Sequence, residues 1–198
     1  MKKLIFSALC LIFLGCVSQQ KYTISPQFSA FRSEKLVLLP FENRTVDLSA
    51  QEILRKMVHR RFTEKGYSLL SIEETDEKLR SIGITDGGQL NSAQTDKLEK
   101  LFGKGMFCYG IVEDFMLQNV GFVVRKKVAL SLKISSSSGE ILFEASGEGR
   151  DLKIFTDREK AKKAFVTQTA VKLVQNILKT PLLRESEIAV EKIFSKIP

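Results

Sequence analysis

From residue 35 onward the apolar residues change their spacing several times, and each change marks a new element. Lys35-Leu36-Val37-Leu38-Leu39-Pro40 is an unbroken apolar run closed by proline, the pattern of a strand buried on both faces. After the loop Phe41 to Thr45 the spacing becomes helical, with Ile53, Leu54, Met57, Val58 and Phe62 on one face. Ser49 and Glu52 have the spacing of a capping box at its start, and Gly66 ends it. Tyr67 to Ile72 reads as a second strand, giving a βαβ unit with parallel strands and a right-handed crossover. Residues 73–82 read as helix, broken by Gly83 and Asp86-Gly87-Gly88. A second capping box, Asn91-Ser92-Ala93-Gln94 or one residue later, opens a helix through Leu98, Leu101 and Phe102 that stops at Gly103.

Three strands follow. Met106 to Met116 is apolar on both faces and suits a central position. From Phe122 to Ile134 the even positions are apolar except Lys126, and most odd ones are polar, so one face is wet. Ser135 to Gly139 is a turn, and Ile141 to Ala145 returns antiparallel. The chain closes with a helix over about 157–178, carrying Ala170, Leu173, Val174, Ile177 and Leu178 on one face. A last helix places Leu183, Val190, Ile193, Phe194 and Ile197 in phase. The expected fold is α/β, or mixed α+β. It is a single mixed sheet of about five strands, a βαβ unit then an antiparallel meander, flanked by helices and ending in two C-terminal helices.

The first residues follow a different logic. Met1-Lys2-Lys3 is positive, Leu4 to Leu14 is apolar, and Gly15-Cys16 precedes a polar stretch. That order defines a secretory signal, and the run is shorter than the roughly 20 residues a spanning helix needs. Phe13-Leu14-Gly15-Cys16 resembles the bacterial lipobox, with Phe13 where the pattern prefers Leu. The resemblance implies that Cys16 accepts diacylglycerol and becomes the first residue of the mature chain. The expected organisation is a lipoprotein signal peptide over 1–15, a lipid anchor and polar linker over 16–34, and one globular domain over 35–198. Two or more acyl chains hold a protein on a membrane where one alone is marginal. Val17, rather than Asp, follows the cysteine. By resemblance to the sorting rule of enteric-type bacteria, this points to the outer membrane, facing the periplasm.

Charge and cysteines narrow the chemistry. Loss of residues 1–15 removes Lys2 and Lys3 from 31 basic residues and nothing from 23 acidic ones, leaving a mature formal charge of +6. The basic clusters His59-Arg60-Arg61, Arg125-Lys126-Lys127 and Lys160 to Lys163 are short and lack interleaved aromatic residues, so they read as solvated faces rather than a nucleic-acid groove. Cys108 is the one cysteine left besides the anchor, in the apolar Met106 to Val112 run, and reads as a small buried hydrophobe. His59 is the sole histidine, beside two arginines, which supports neither a zinc site nor a Ser-His-Asp system. Gly103-Lys104-Gly105 joins a helix to a strand, the reverse of a phosphate loop. Glu113 and Asp114 are adjacent on a strand and point to opposite faces, so they read as a solvent-reaching pair near a strand end, not a shared-proton dyad. No catalytic residue, cofactor site or metal site is expected.

Phe31-Arg32, Leu36 to Pro40 with Asn43, Gly66-Tyr67, Leu79 to Ile84, Lys97-Leu98 to Gly103, Tyr109 and Ser138 to Leu142 together resemble a family of uncharacterised bacterial lipoproteins. The family is typified by a meningococcal vaccine-candidate antigen. The chain departs at Phe41, where a second proline is usual, and at Lys104-Gly105-Met106, where Ala-Asp-Ala is usual. That family in turn resembles the curli-secretion lipoprotein CsgG and the N-terminal domain of TolB, which implies a mixed sheet flanked by helices.

The resemblance implies an accessory or scaffold protein in envelope assembly or secretion, without catalytic activity. Its partners would be the membrane, through the lipid, and other envelope proteins, with a homo-oligomer also allowed and no nucleic acid. Three other readings are carried: a CsgG-like oligomeric secretion channel using a hairpin over about 106–135, a lipopolysaccharide-transport assembly lipoprotein, and a cell-wall enzyme. Replacing Cys16 with alanine is expected to leave the circular dichroism of the folded domain unchanged and to remove the processed protein from the membrane fraction. Retention there after signal cleavage contradicts the anchor.

Overall fold

The computed structural model describes residues 22–90, 95–120, 122–154, 163, 166 and 182–198. Its strands are β1 (Tyr22–Ile24), β2 (Leu36–Leu38), β3 (Glu42–Asn43), β4 (Met106–Val120), β5 (Val123–Ser136) and β6 (Ile141–Ile154). The helices are α1 (Ala50–Glu64), α2 (Ile72–Ser81), α3 (Thr95–Phe102) and α4 (Leu183–Phe194). The sheet runs β1-β6-β5-β4-β2, with β3 beside β4 farther along. β2 and β3 lie parallel to β4, while β4-β5-β6-β1 is antiparallel throughout, so the sheet is mixed as the residue pattern predicts.

β2 separates two cores. Leu36 and Leu38 join Leu54, Val58 and Phe62 of α1 on the inner face, together with Val128, Leu130 and Leu132 of β5 and Ile193 and Phe194 of α4. Val37 and Leu39 join Phe107, Leu79 of α2, and Leu98 and Phe102 of α3 on the outer face. An unbroken apolar run is what such a strand requires, since neither face meets water. α4 lies close against the meander. A Cβ at Gly147 would collide with the Ala189 carbonyl, and one at Gly149 with the Glu185 carbonyl, so glycine lets the helix backbone approach the sheet. Lys126, the cation that interrupts the apolar face of β5, sits 3.6 Å from buried Glu185 of α4.

Several expectations are corrected. The linker expected over 16–34 is folded structure from Tyr22 on. β1 pairs with Phe143–Ala145 of β6, Phe28 is 1% exposed with its ring 6.2 Å from Phe143, and Arg32 lies over the Tyr67 ring at 4.4 Å. Polar residues around single aromatic anchors concealed this, because they carry no periodicity. The strand expected over Tyr67 to Ile72 is one parallel bridge, Leu36 to Leu69. Ser71 ends it by capping α2, its hydroxyl accepting the Glu74 N–H at 3.1 Å. The in-sheet parallel partners of β4 are therefore β2 and β3, reached across α1 to α3.

The Ser49–Glu52 capping box does not form. Asp47 takes both the Ser49 N–H, at 3.0 Å, and its hydroxyl, at 2.6 Å, while Glu52 pairs with Lys56. β6 continues nine residues past the expected end at Ala145, because Gly147 and Gly149 are needed inside rather than marking a break. The second capping box, at 91–94, and the helix expected over 157–178 lie outside the described residues, apart from helical positions 163 and 166.

Phe28 tests the first correction. Phe28→Ala is expected to cost about 3–5 kcal/mol, the range for a fully buried aromatic, read by urea unfolding. A flexible linker would give no change.

Candidate interaction surface

Cys16 and the rest of residues 1–21 lie outside the described residues. The other residues weighed for chemistry are dispersed through the fold. His59 on α1 is half-buried, its Nε2 3.2 Å from the Leu70 carbonyl, where it ties α1 to the chain leading into α2. Cys108 is fully buried in β4, and that burial pushes its thiol well above the ordinary range, with Arg55 pulling weakly the other way. Gly103 to Gly105 joins α3 to β4, helix to strand, as the sequence predicts. Glu113 is the extra residue of a β-bulge beside Asp114 in the middle of β4, not at a strand end. Glu113 faces Arg44 at 3.5 Å, an arginine that Glu42 also holds at 2.7 Å, and Asp114 faces Lys127 at 2.5 Å, so the two carboxylates meet different cations. No group of three or more metal-ligating side chains exists among the described residues.

Among the described residues, two clefts lie along α1. The first, about 430 Å³, opens between α1 and α2 beyond the end of β2. Arg55 forms its inner wall at 7% exposure, donating from Nη1 to Asp76 and from Nη2 to the Leu38 carbonyl, both at 2.8 Å. This cation sits one residue beyond Leu54 in the helix stripe, a signal that pattern reading passed over. It joins α1, α2 and β2, and neither cysteine nor histidine lines the cleft. The second, about 680 Å³, is a groove between α1 and α4 with Met57, Ile188 and Val190 in its lining and Arg60, Arg61 and Arg184 around it.

The larger feature is a projection. β3 pairs only with Ile111 and Val112, and β1 reaches only Ala145. Past those points β4, β5 and β6 continue together to Val120, Val123 and Ile154 as a three-stranded ribbon. Among the described residues its two outer edges, along β4 from Asp114 and along β6 from Ser146, carry no further strand. A strand edge can take up a strand from another chain through its backbone N–H and C=O groups. The outer face of the ribbon carries Asp114, Lys127, Glu148 and Arg150, while its end is apolar. No helix among the described residues is long and apolar enough to cross a membrane.

A comparison with known families decides the relationship, because the profile of the GNA1162-like lipoproteins matches residues 25–196. The chain belongs to the GNA1162-like lipoprotein family. The matched span takes in both cores, the ribbon and α4. Lipoprotein GNA1162 from Neisseria meningitidis has a similar fold at 16% identity, with a TM-score of 0.56, covering 72% of this chain and 99% of that one. The LpoB C-terminal domain from Salmonella enterica aligns at 13% identity and a TM-score of 0.43, over 62% of this chain and 92% of that one. The PelC dodecamer from Paraburkholderia phytofirmans aligns at 14% identity and a TM-score of 0.44, over 66% and 80%. No curated protein matches the chain in sequence.

The buried thiol yields a prediction. Ionisation of Cys108 requires exposure, so a maleimide reagent at pH 8 is expected to leave the folded, acylated protein unlabelled. Labelling should appear at the urea concentration that unfolds it. Labelling of the native chain at the denatured rate contradicts a buried Cys108.

Proposed function

We propose that this protein is an outer-membrane-anchored, periplasm-facing lipoprotein without catalytic activity that serves envelope assembly or secretion by binding other proteins. The observation that carries this reading is the family match over residues 25–196, which joins the folded part to a lipoprotein family. It agrees with the lipobox-like Phe13-Leu14-Gly15-Cys16 at the other end of the chain. Support for the absence of catalysis comes from chemistry. The one histidine is engaged at a backbone carbonyl, the described cysteine is buried, and the adjacent carboxylates are each taken by a cation.

The ribbon is the element best suited to binding. Its edges offer ladder hydrogen bonds without prior unfolding, and its outer face offers charges of both signs. The channel reading gains little from it. A spanning strand needs about 9–11 residues with an apolar outward face, whereas Lys127, Arg150, Asp114 and Glu148 occupy one face of this ribbon and Lys126 and Asp151 the other.

Photo-crosslinking residues at Ser146 and Gln118, on the two edges, test the reading in intact cells, with Glu73 on α2 as control. Adducts with envelope proteins are expected from the edge positions, not from the control, and are expected to fall in the Cys16→Ala chain. Absence of adducts at both edges, or equal adducts at all three sites, contradicts it.

A further inference from the structure

The free end of the ribbon is apolar. Val120, Phe122, Val123, Leu152 and Ile154 are 63%, 49%, 37%, 60% and 66% exposed. Val120, Val123 and Ile154 are direct cross-strand partners and form one row on the outer face. Leu152 stands in the next row beside Arg125, and the third row holds Lys127 and Arg150. On β6 the outer-face apolar side chains Ile154 and Leu152 span about 7 Å along the strand, two residues at about 3.4 Å each, with Arg125 beside Leu152 in the second row. Arg125 and Lys153 flank it as exposed cations, with Lys153 Nζ 3.8 Å from Asp151.

The path of the chain sets where this end can lie. Tyr22 pairs with Ala145 and Ile24 with Phe143, so β1 runs away from the ribbon's end and the chain enters Tyr22 from that side. Cys16 precedes Tyr22 by six residues, a covalent reach of at most about 22 Å. Ala145 is nine residues from Ile154, about 31 Å along the strand. A ribbon directed at the bilayer therefore carries Ile154 at least about 9 Å beyond a Cys16 held at the surface. The end thus reaches the boundary layer, where interfacial segments bury apolar side chains roughly 5–10 Å deep, and the tilt of the ribbon sets how far it enters.

We propose that the end of the ribbon, through Val120, Phe122, Val123, Leu152 and Ile154, docks into the boundary between headgroups and acyl chains of the bilayer that holds the lipid anchor. The proposal rests on the acylation of Cys16 put forward above. It adds a second, shallow contact that holds the two open edges upright off the membrane, where a partner strand can approach. A second copy of the chain fits the end less well. Five side chains fall short of the 20–30 residues per side of a standard protein interface.

The chain contains no tryptophan, so Phe122→Trp creates a single tryptophan, excited apart from the three tyrosines, by a conservative change. The full acylated protein, reconstituted into vesicles of phosphatidylethanolamine and phosphatidylglycerol, is challenged with lipids brominated near the top of the acyl chains. Ile141→Trp, at the opposite end of the sheet and 48% exposed, is the reference. The Phe122→Trp fluorophore is expected to be quenched at least twofold more than the Ile141→Trp reference, and less by lipids brominated near the bilayer centre. Adding Val123→Asp and Ile154→Asp should bring its quenching down to the reference while the protein still floats with the vesicles. Flotation with both fluorophores quenched equally overturns the docked end and leaves the anchor standing. Failure to float overturns the anchor and the docking with it. A Phe122→Trp fluorophore shielded from aqueous iodide but untouched by brominated lipid shows the end covered by protein, which also overturns it.

Discussion

The arrangement depends on one mismatch of length. β4 is a fifteen-residue strand, and its neighbours differ in how far they follow it. On one side β2 and β3 stop at Asn43, opposite Val112, while on the other β5 accompanies it to Val120. Backbone groups must be paired wherever water is excluded, so the half of β4 with strands on both sides is also the half covered by helices on both faces. Phe107 lies under α2 and α3 while Cys108 lies over α1. Past the bulge at Glu113, among the described residues, no parallel strand flanks β4 and α2 and α3 no longer cover its outer face. A protein built from the same elements with a shorter meander would have a closed sheet and no projection.

The two halves differ in chemistry as they differ in covering. The enclosed half holds the groups with a strong tie to their surroundings: the Cys108 thiol, the Arg55 guanidinium between Asp76 and the Leu38 carbonyl, and Tyr109. Burial pushes the Tyr109 phenol up. The projecting half holds exposed cations, carboxylates and apolar side chains. That division suits a protein that acts by contact. The inner face of the ribbon still holds buried Phe115, Val124 and Val128, so it is its outer face and end that can change what the protein touches without loosening the core.

Periodicity made much of the enclosed half legible. The unbroken run at Leu36 to Leu39, the helical stripe from Ile53 to Phe62 and the alternation from Val124 to Ile134 are each dictated by burial, and burial writes period into sequence. Tyr22 to Arg32 was illegible because a three-residue strand and one buried ring are too short to show a period. The far part of β6 was hidden for another reason. Its inward positions are Gly147 and Gly149, chosen for the approach of the α4 backbone, so the inner face shows no apolar alternation. Ser49 and Ser71 both had the spacing of a helix cap, and only the latter caps, because Asp47 claims the hydroxyl of the former. The ribbon is a property of where neighbours end, which no local pattern encodes.

The attachment proposed at Cys16 would link this shape to its work, since a short tether would limit the distance between membrane and sheet. The mass of the N-terminal peptide of protein extracted from bacterial membranes tests that attachment most directly. The expected peptide begins at Cys16 and carries the added mass of a diacylglyceryl group. A peptide that begins elsewhere, or a Cys16 recovered as an unmodified thiol, contradicts it.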